Sequence, residues 1–174
     1  MQESPLLNTA IKLAETLNKT ADNNLPKKLA EIVKMYSILA VGYGFIYRPE
    51  DKSADNILAM YVEINDELNM PFAENALKSV AAGVVTNLAR TAVGLTEFGL
   101  FPGVKGEAVI TFCYAVTIAS GIVYMKAITA LLNSKNTTFT EADFKAATDE
   151  VMKDKETITE ILKEGKAEYK NRWC

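Results

Sequence analysis

Residues Ala108 to Met125 read AVITFCYAVTIASGIVYM, eighteen residues without a charge or a proline. Lys105 and Glu107 bound the run on one side and Lys126 on the other. A helix needs ~20 apolar residues to cross the hydrocarbon of a bilayer, so this stretch lies on the border between a buried core helix and a membrane span. Either the rest of the chain covers it or lipid does. Thr111, Thr117, Ser120 and Gly121 dilute its apolar character, Lys126 interrupts it, and its aromatic residues are not confined to its ends. Those features favour the core helix of a bundle, covered on all sides by amphipathic neighbours. Length, with Lys105 and Lys126 as cationic flanks whose stems reach an interface, favours the span.

The remaining segments repeat apolar residues at helical spacing. Ser4-Pro5 supplies an N-cap and a first-turn proline, and Leu6, Leu7, Ala10, Leu13, Ala14 and Leu17 follow. Asn23-Asn24 ends that helix. Pro26 starts a second, with Leu29, Ile32, Val33, Tyr36, Leu39, Ala40 and Tyr43 on one face, and Arg48-Pro49 stops it. After a polar connector over 48–52, Ser53 is read as the cap of a third helix carrying Ile57, Leu58, Tyr61, Ile64 and Leu68. A fourth helix is expected from Phe72 to Glu97, followed by the breaker FGLFPGVKGE and the long apolar helix to Leu132. Thr140 with Asp143 reads as a capping box. It opens a last helix with Phe144, Ala147, Val151, Ile158, Ile161 and Leu162 on one stripe. No alternation is long enough for a strand. The expectation is an all-α single domain over residues 1–174, a bundle of about six helices around a central hydrophobic helix at about 104–132.

Composition removes several chemistries. The chain of 174 residues is 49% hydrophobic and 24% charged, as a folded globular protein is. It contains no histidine, so it lacks the commonest general base near neutral pH and the commonest zinc and di-iron ligand. Neither a catalytic residue nor a metal ligand nor a cofactor site is assigned. A net charge of −3 provides no basic field for nucleic acid. Cys113 sits in the apolar run and reads as a small core hydrophobe, and Cys174 lacks the three following residues of a prenylation signal. The first ten residues do not resemble a secretory leader, so the expected location is cytoplasmic, peripheral or integral to a membrane.

The breaker holds Pro102, Gly103 and Gly106. A glycine-rich turn before a helix can bind phosphate through free N–H groups. Gly103-Val104-Lys105-Gly106-Glu107 does not match the phosphate-loop spacing, however, and Glu107 would repel an anion. A tight interhelical turn is the simpler reading. Asn18-Lys19-Thr20-Ala21-Asp22 places its aspartate one position too far for the guanine-reading motif, and no phosphate loop accompanies it. The chain is therefore not itself a GTPase. Glu63, Asp66 and Glu67 cluster on the third helix and read as a solvated face, as does the mixed charge of the last helix. Gly42, Tyr43 and Gly44 mark either a close helix crossing or the edge of a cavity.

Two patches resemble a known family. Lys34 to Phe45, KMYSILAVGYGF, resembles the apolar helix ending in Tyr-Gly of the helical family that includes YcjF-like and EcsC-like proteins. Leu100 to Gly106, LFPGVKG, with the apolar run after it, resembles that family's Ile-Pro-Gly-x-Gly turn and small-residue-rich hydrophobic helix. The resemblance implies an all-helical domain, often encoded near or fused to GTP-binding domains and often membrane-associated. It implies architectural roles for the Tyr-Gly and Pro-Gly positions and carries over no catalytic residue. The expected function is a non-enzymatic accessory domain with a protein partner, a GTPase by resemblance, or a membrane surface. Two alternatives are a membrane-inserting or pore-forming helical protein, and a carrier of small apolar ligands or lipids with its tyrosines around a cavity.

Overall fold

The computed structural model describes residues 25–46, 49–68, 70, 72–95, 106–133 and 140–173. Among the described residues there are six helices and no strand. They are α1 (Leu25–Ile46), α2 (Pro49–Glu67), α3 (Glu74–Val93), α4 (Glu107–Asn133), α5 (Glu141–Lys153) and α6 (Lys155–Trp173). The all-α fold around one central apolar helix is as the sequence pattern predicts. The helix expected over Ser4–Asn23 lies outside the described residues.

Helix boundaries follow local chemistry. Pro49 is the first residue of α2, so the polar segment read as a connector belongs to the helix and Ser53 is not its cap. A proline at that position gives up an N–H that has no helical partner anyway and presets φ. Gly106, at φ 83, takes the left-handed conformation that turns the chain into α4. At α5 the predicted capping box is complete: the Asp143 N–H donates to Thr140 Oγ1 at 3.2 Å and the Thr140 N–H to Asp143 Oδ2 at 2.8 Å. The single last helix read from the sequence is two helices. Asp154, with ψ 82, breaks the path and accepts from the Thr157 N–H at 3.0 Å and the Thr157 hydroxyl at 2.6 Å. That side chain stops α5 and caps α6 at once.

α4 touches each of the other five helices. Every residue from Ile110 to Met125 is buried, as are Ala127, Ile128 and Leu131. In this fold the apolar run is the core. Cys113 is buried within it, as a small hydrophobe should be. Four short polar side chains of α4 are satisfied by their own helix. The hydroxyls of Thr111, Thr117, Ser120 and Thr129 each donate to the carbonyl four residues back, at 2.7 to 2.8 Å.

Two glycines set how closely the sheath approaches. A Cβ at Gly121 would lie 2.7 Å from Val33 Cγ2 and 2.9 Å from Val33 Cγ1, so α1 crosses α4 there with no room for a side chain. A Cβ at Gly165 would lie 3.0 Å from Ala115 Cα and 3.1 Å from Ile118 Cγ2, which seats α6 on the α4 backbone. Val41 of α1 packs on the cluster of Ile110, Tyr114 and Tyr169, so α1 and α6 flank the same end of α4.

These contacts separate two chemically identical substitutions. Gly83, on the exposed side of α3, has open space where a Cβ would go. Gly83→Ala should gain up to about 1 kcal/mol from helix propensity. Gly121→Ala gains the same propensity but drives a methyl into Val33, whose χ1 is stiff in a helix. Overpacking of this kind costs ~1–3 kcal/mol, so a net loss is expected. Urea unfolding of both variants should move their midpoints in opposite directions, and adding Val33→Ala should recover part of the Gly121→Ala loss.

Candidate interaction site

α2 presents two faces. Ile57, Met60, Tyr61 and Ile64 are buried toward the core. Asp55, Leu58, Ala59, Val62 and Asp66 follow the same helical spacing on the other side. With Tyr36 and Glu63 from the α1–α2 seam and Glu74 at the start of α3, they line an open groove of about 470 Å³. Its floor is aliphatic and its rim is acidic. The Tyr36 hydroxyl donates to Glu63 Oε2 at 2.8 Å. The Asn56 side chain donates to the Tyr36 carbonyl at 3.1 Å, holding α1 against α2 beside the groove. Glu67, outside the lining, pairs with Lys28 at 2.7 Å. No lysine or arginine lines the groove, and Asp55, Asp66 and Glu74 have no ion-pair partner among the described residues. The cluster read from the sequence as Glu63, Asp66 and Glu67 is therefore divided: two members face the groove and the third ties two helices together.

Behind the groove runs a chain of rings. Tyr61 and Tyr124 have centroids 4.6 Å apart, Tyr124 and Phe144 5.1 Å, and Phe144 and Phe72 4.7 Å in a stacked arrangement. The Tyr61 hydroxyl donates to the Ser120 carbonyl at 2.8 Å. The Tyr124 hydroxyl and Asn65 Oδ1 are buried and have no hydrogen-bond partner among the described residues. Burial holds Tyr124 well above the ordinary tyrosine value, and the charge of Asp66 adds to the shift. Burial does the same to Tyr61, with Tyr124 adding. At the other end of α4, the Tyr114 hydroxyl donates to buried Glu168 at 2.8 Å, and Arg172 lies 3.6 Å from the same carboxylate oxygen. Burial first, then Glu168, raises Tyr114, against the opposing charge of Arg172. These three tyrosines remain protonated through neutral pH. Packed ring against ring, they fill the interior rather than line the groove, where Tyr36 is the one tyrosine among the described lining residues.

The other sequence candidates fare differently. α1 stays helical through Gly42, Tyr43 and Gly44 to Ile46. Pro102 and Gly103 lie outside the described residues, and Gly106 is the left-handed residue before α4. The surroundings of Gly42, Tyr43 and Gly44 lie outside what is described; among the described glycines, close crossings occur at Gly121 and Gly165. A glycine inside an otherwise strong helix pattern is the signal that marks such positions. Among the described residues no three histidine, cysteine, aspartate or glutamate side chains converge as a metal site. Among known proteins, no family model, curated protein or solved structure matches the chain.

The two buried hydroxyls give opposite expectations for the same change. Tyr61→Phe removes a made hydrogen bond and should cost ~0.5–1.5 kcal/mol. Tyr124→Phe removes a buried donor without a partner and should be neutral or stabilising by about 1 kcal/mol. Thermal unfolding of the pair checks this: a large loss in Tyr124→Phe would mean that its hydroxyl is satisfied.

Proposed function

We propose that this chain is a non-enzymatic accessory domain that binds a partner protein through the α1–α3 groove. The partner is expected to offer an amphipathic helix bearing lysine or arginine. The observation that carries this reading is the aliphatic floor inside a rim of four carboxylates, with no cation among the described lining residues. Leu58, Ala59 and Val62 would take the apolar side of such a helix, while Asp55, Asp66 and Glu74 would take its charges. An anionic membrane surface would be repelled by the same rim. The resemblance to a GTPase-associated family makes a GTPase the candidate partner.

A direct test uses two synthetic helices of equal hydrophobicity, one lysine-rich and one glutamate-rich. The lysine peptide should bind, weaken with salt, and lose at least about tenfold in affinity to the triple variant Asp55→Lys, Asp66→Lys, Glu74→Lys, as loss of several rim charges implies. Equal binding of both peptides, or indifference to the triple variant, would refute the groove as the docking surface.

A second reading, membrane insertion of α4, has its own observation. The hydroxyls of Thr111, Thr117, Ser120 and Thr129 bond within α4, so they could meet lipid without being stranded. The sheath would have to open first, and acid is a route. Bonds from Thr140 hold Asp143 below the ordinary carboxylate range, and bonds from Thr157 do the same for Asp154. Their caps therefore contribute fully above the unfolded value of 3.8 and are lost as pH falls through the lower folded values. On this reading the protein floats with liposomes, resists a salt wash only at such acid pH, and fails to do so with Ala119→Arg. Protein that stays at the bottom of the gradient at every pH would dismiss insertion.

A further inference from the structure

The residues that α2 contributes to the groove fall into a repeating pattern. Asp55, Leu58, Ala59 and Val62 stand at i, i+3, i+4 and i+7, and so do Ala59, Val62, Glu63 and Asp66. Positions three and four apart are neighbours on a helix surface, so each set makes the four corners of a diamond. That diamond is the hole which receives a side chain of a facing helix in knobs-into-holes packing. The α2 wall is thus two holes in succession, one turn or about 6 Å apart along the axis. Ala59 and Val62 belong to both. Ala59 is the smallest of these side chains and is exposed between half-buried Leu58 and Val62, so the low point of the surface lies where the holes meet. The two holes differ in chemistry. Three corners of the first are aliphatic and the fourth is Asp55. The second has two aliphatic corners and two carboxylates. Of these, Glu63 accepts from the Tyr36 hydroxyl at 2.8 Å, whereas Asp66 is exposed and has no ion-pair partner among the described residues.

We infer that the partner helix seats a large aliphatic side chain in the first hole and, one turn away on the same face, the stem of a lysine or arginine in the second, with its cation against Asp66. The inference rests on the reading of the groove as the docking surface for a basic amphipathic helix, and it adds the anchors of that helix. A lysine stem covers apolar surface while its head stays in water, which suits a hole with both aliphatic and acidic corners. An aliphatic knob in the first hole excludes water from Leu58, Ala59 and Val62, and a buried central anchor of this kind carries much of the binding energy at an interface. Ala59 then sets specificity. A larger side chain there closes both holes at once and leaves every rim carboxylate in place, so shape is separated from charge.

Two synthetic helices test it on the full-length chain. They are identical except for leucine or alanine at the central position, and each carries lysine four residues to either side of it, so the direction of docking is immaterial. By fluorescence anisotropy the wild type should bind the leucine peptide about tenfold or more tighter than the alanine peptide, as a filled anchor pocket implies. Ala59→Leu should bind the leucine peptide about tenfold weaker and lose that preference. Its thermal midpoint should hold, because the position is exposed and leucine is nearly as good a helix former as alanine. Ala59→Gln, which closes the same space with a polar side chain, should act alike, and it decides the matter should Ala59→Leu lower the midpoint. Ala82→Leu, on the exposed side of α3, should leave binding unchanged. Equal affinity of the wild type for both peptides, or an undiminished leucine preference in the folded Ala59 variants, would overturn the inference. If charge reversal at Asp55, Asp66 and Glu74 still abolishes binding in that case, the groove stands as a docking surface without these anchors. No binding of either peptide by the wild type would overturn both.

Discussion

The bundle depends on how near two helices come to the backbone of α4. At Gly121 the two γ-carbons of Val33 occupy the place of a side chain, and at Gly165 the backbone of α6 rests on Ala115. Small residues at a crossing let the helix axes draw together, and every neighbouring contact inherits that distance. One stretch of α4 receives four partners in succession. Gly165 of α6 meets Ala115 and Ile118, Tyr61 of α2 bonds the Ser120 carbonyl, Val33 of α1 fills the space at Gly121, and Phe144 of α5 stands edge-on to Tyr124. A side chain at Gly121 would lift α1, and the α1–α2 seam that carries Tyr36 and Glu63 would lift with it. The groove is thus a consequence of a crossing on the far side of α1.

The interior handles its polar groups in two ways. The threonine and serine hydroxyls on α4 fold back onto their own helix and ask nothing of their neighbours. Hydroxyls and carboxylates that reach across, such as Tyr61 to Ser120 and Tyr114 to Glu168, instead fix which helix lies beside which. An apolar contact tolerates sliding, whereas a buried donor that loses its acceptor costs about 1–3 kcal/mol. These cross-helix bonds therefore select a register that hydrophobic burial alone would leave loose. Two atoms stand outside this arrangement, the Tyr124 hydroxyl and Asn65 Oδ1. Both flank the Phe72–Phe144 pair: Asn65 donates to the Phe72 carbonyl at 3.4 Å, and Tyr124 packs on the Phe144 ring. Among the described residues, that corner holds both buried polar atoms without a partner.

What could be read from the sequence was the part governed by short-range chemistry. The apolar run, the Thr140–Asp143 box and the all-helical class each rest on residues within a few positions of one another. The start of α2 was misjudged because Ser53 and Pro49 both supply helix-start chemistry, and the proline, followed by Glu50 and Asp51, prevails. The division at Asp154 was hidden because the stripe from Phe144 to Leu162 continues in phase through the break. Asp154 and Thr157 carry the only local mark, and Asp-x-x-Thr is weaker than the usual cap pattern. The groove was legible only as an acidic cluster on one helix. Its floor needs α2 to be rotated so that Tyr61 points inward, and its far wall needs Glu74 from another element. Gly121, read as a diluent of the apolar run, turned out to be a crossing point because what it admits, Val33, lies far away in sequence.

The same separation of scales bears on the choice between partner and membrane. Threonine and serine hydroxyls that bond within their own helix suit a protein core and lipid alike, so these residues of α4 do not decide between them. The sheath is more informative. To reach lipid, α4 would have to leave the Val33 and Ala115 contacts, where the fit is closest, and to strand Tyr61 and the Tyr114–Glu168 pair, which have partners only across helices. Docking at the groove asks for none of this. Its floor and rim already face solvent, and Asp55, Asp66 and Glu74 have no ion-pair partner among the described residues. A basic helix can meet them without moving any element of the core. Insertion, by contrast, needs a trigger strong enough to dismantle the crossing on which the groove itself depends, so a chain that inserts α4 cannot at the same moment hold a partner between α1 and α3.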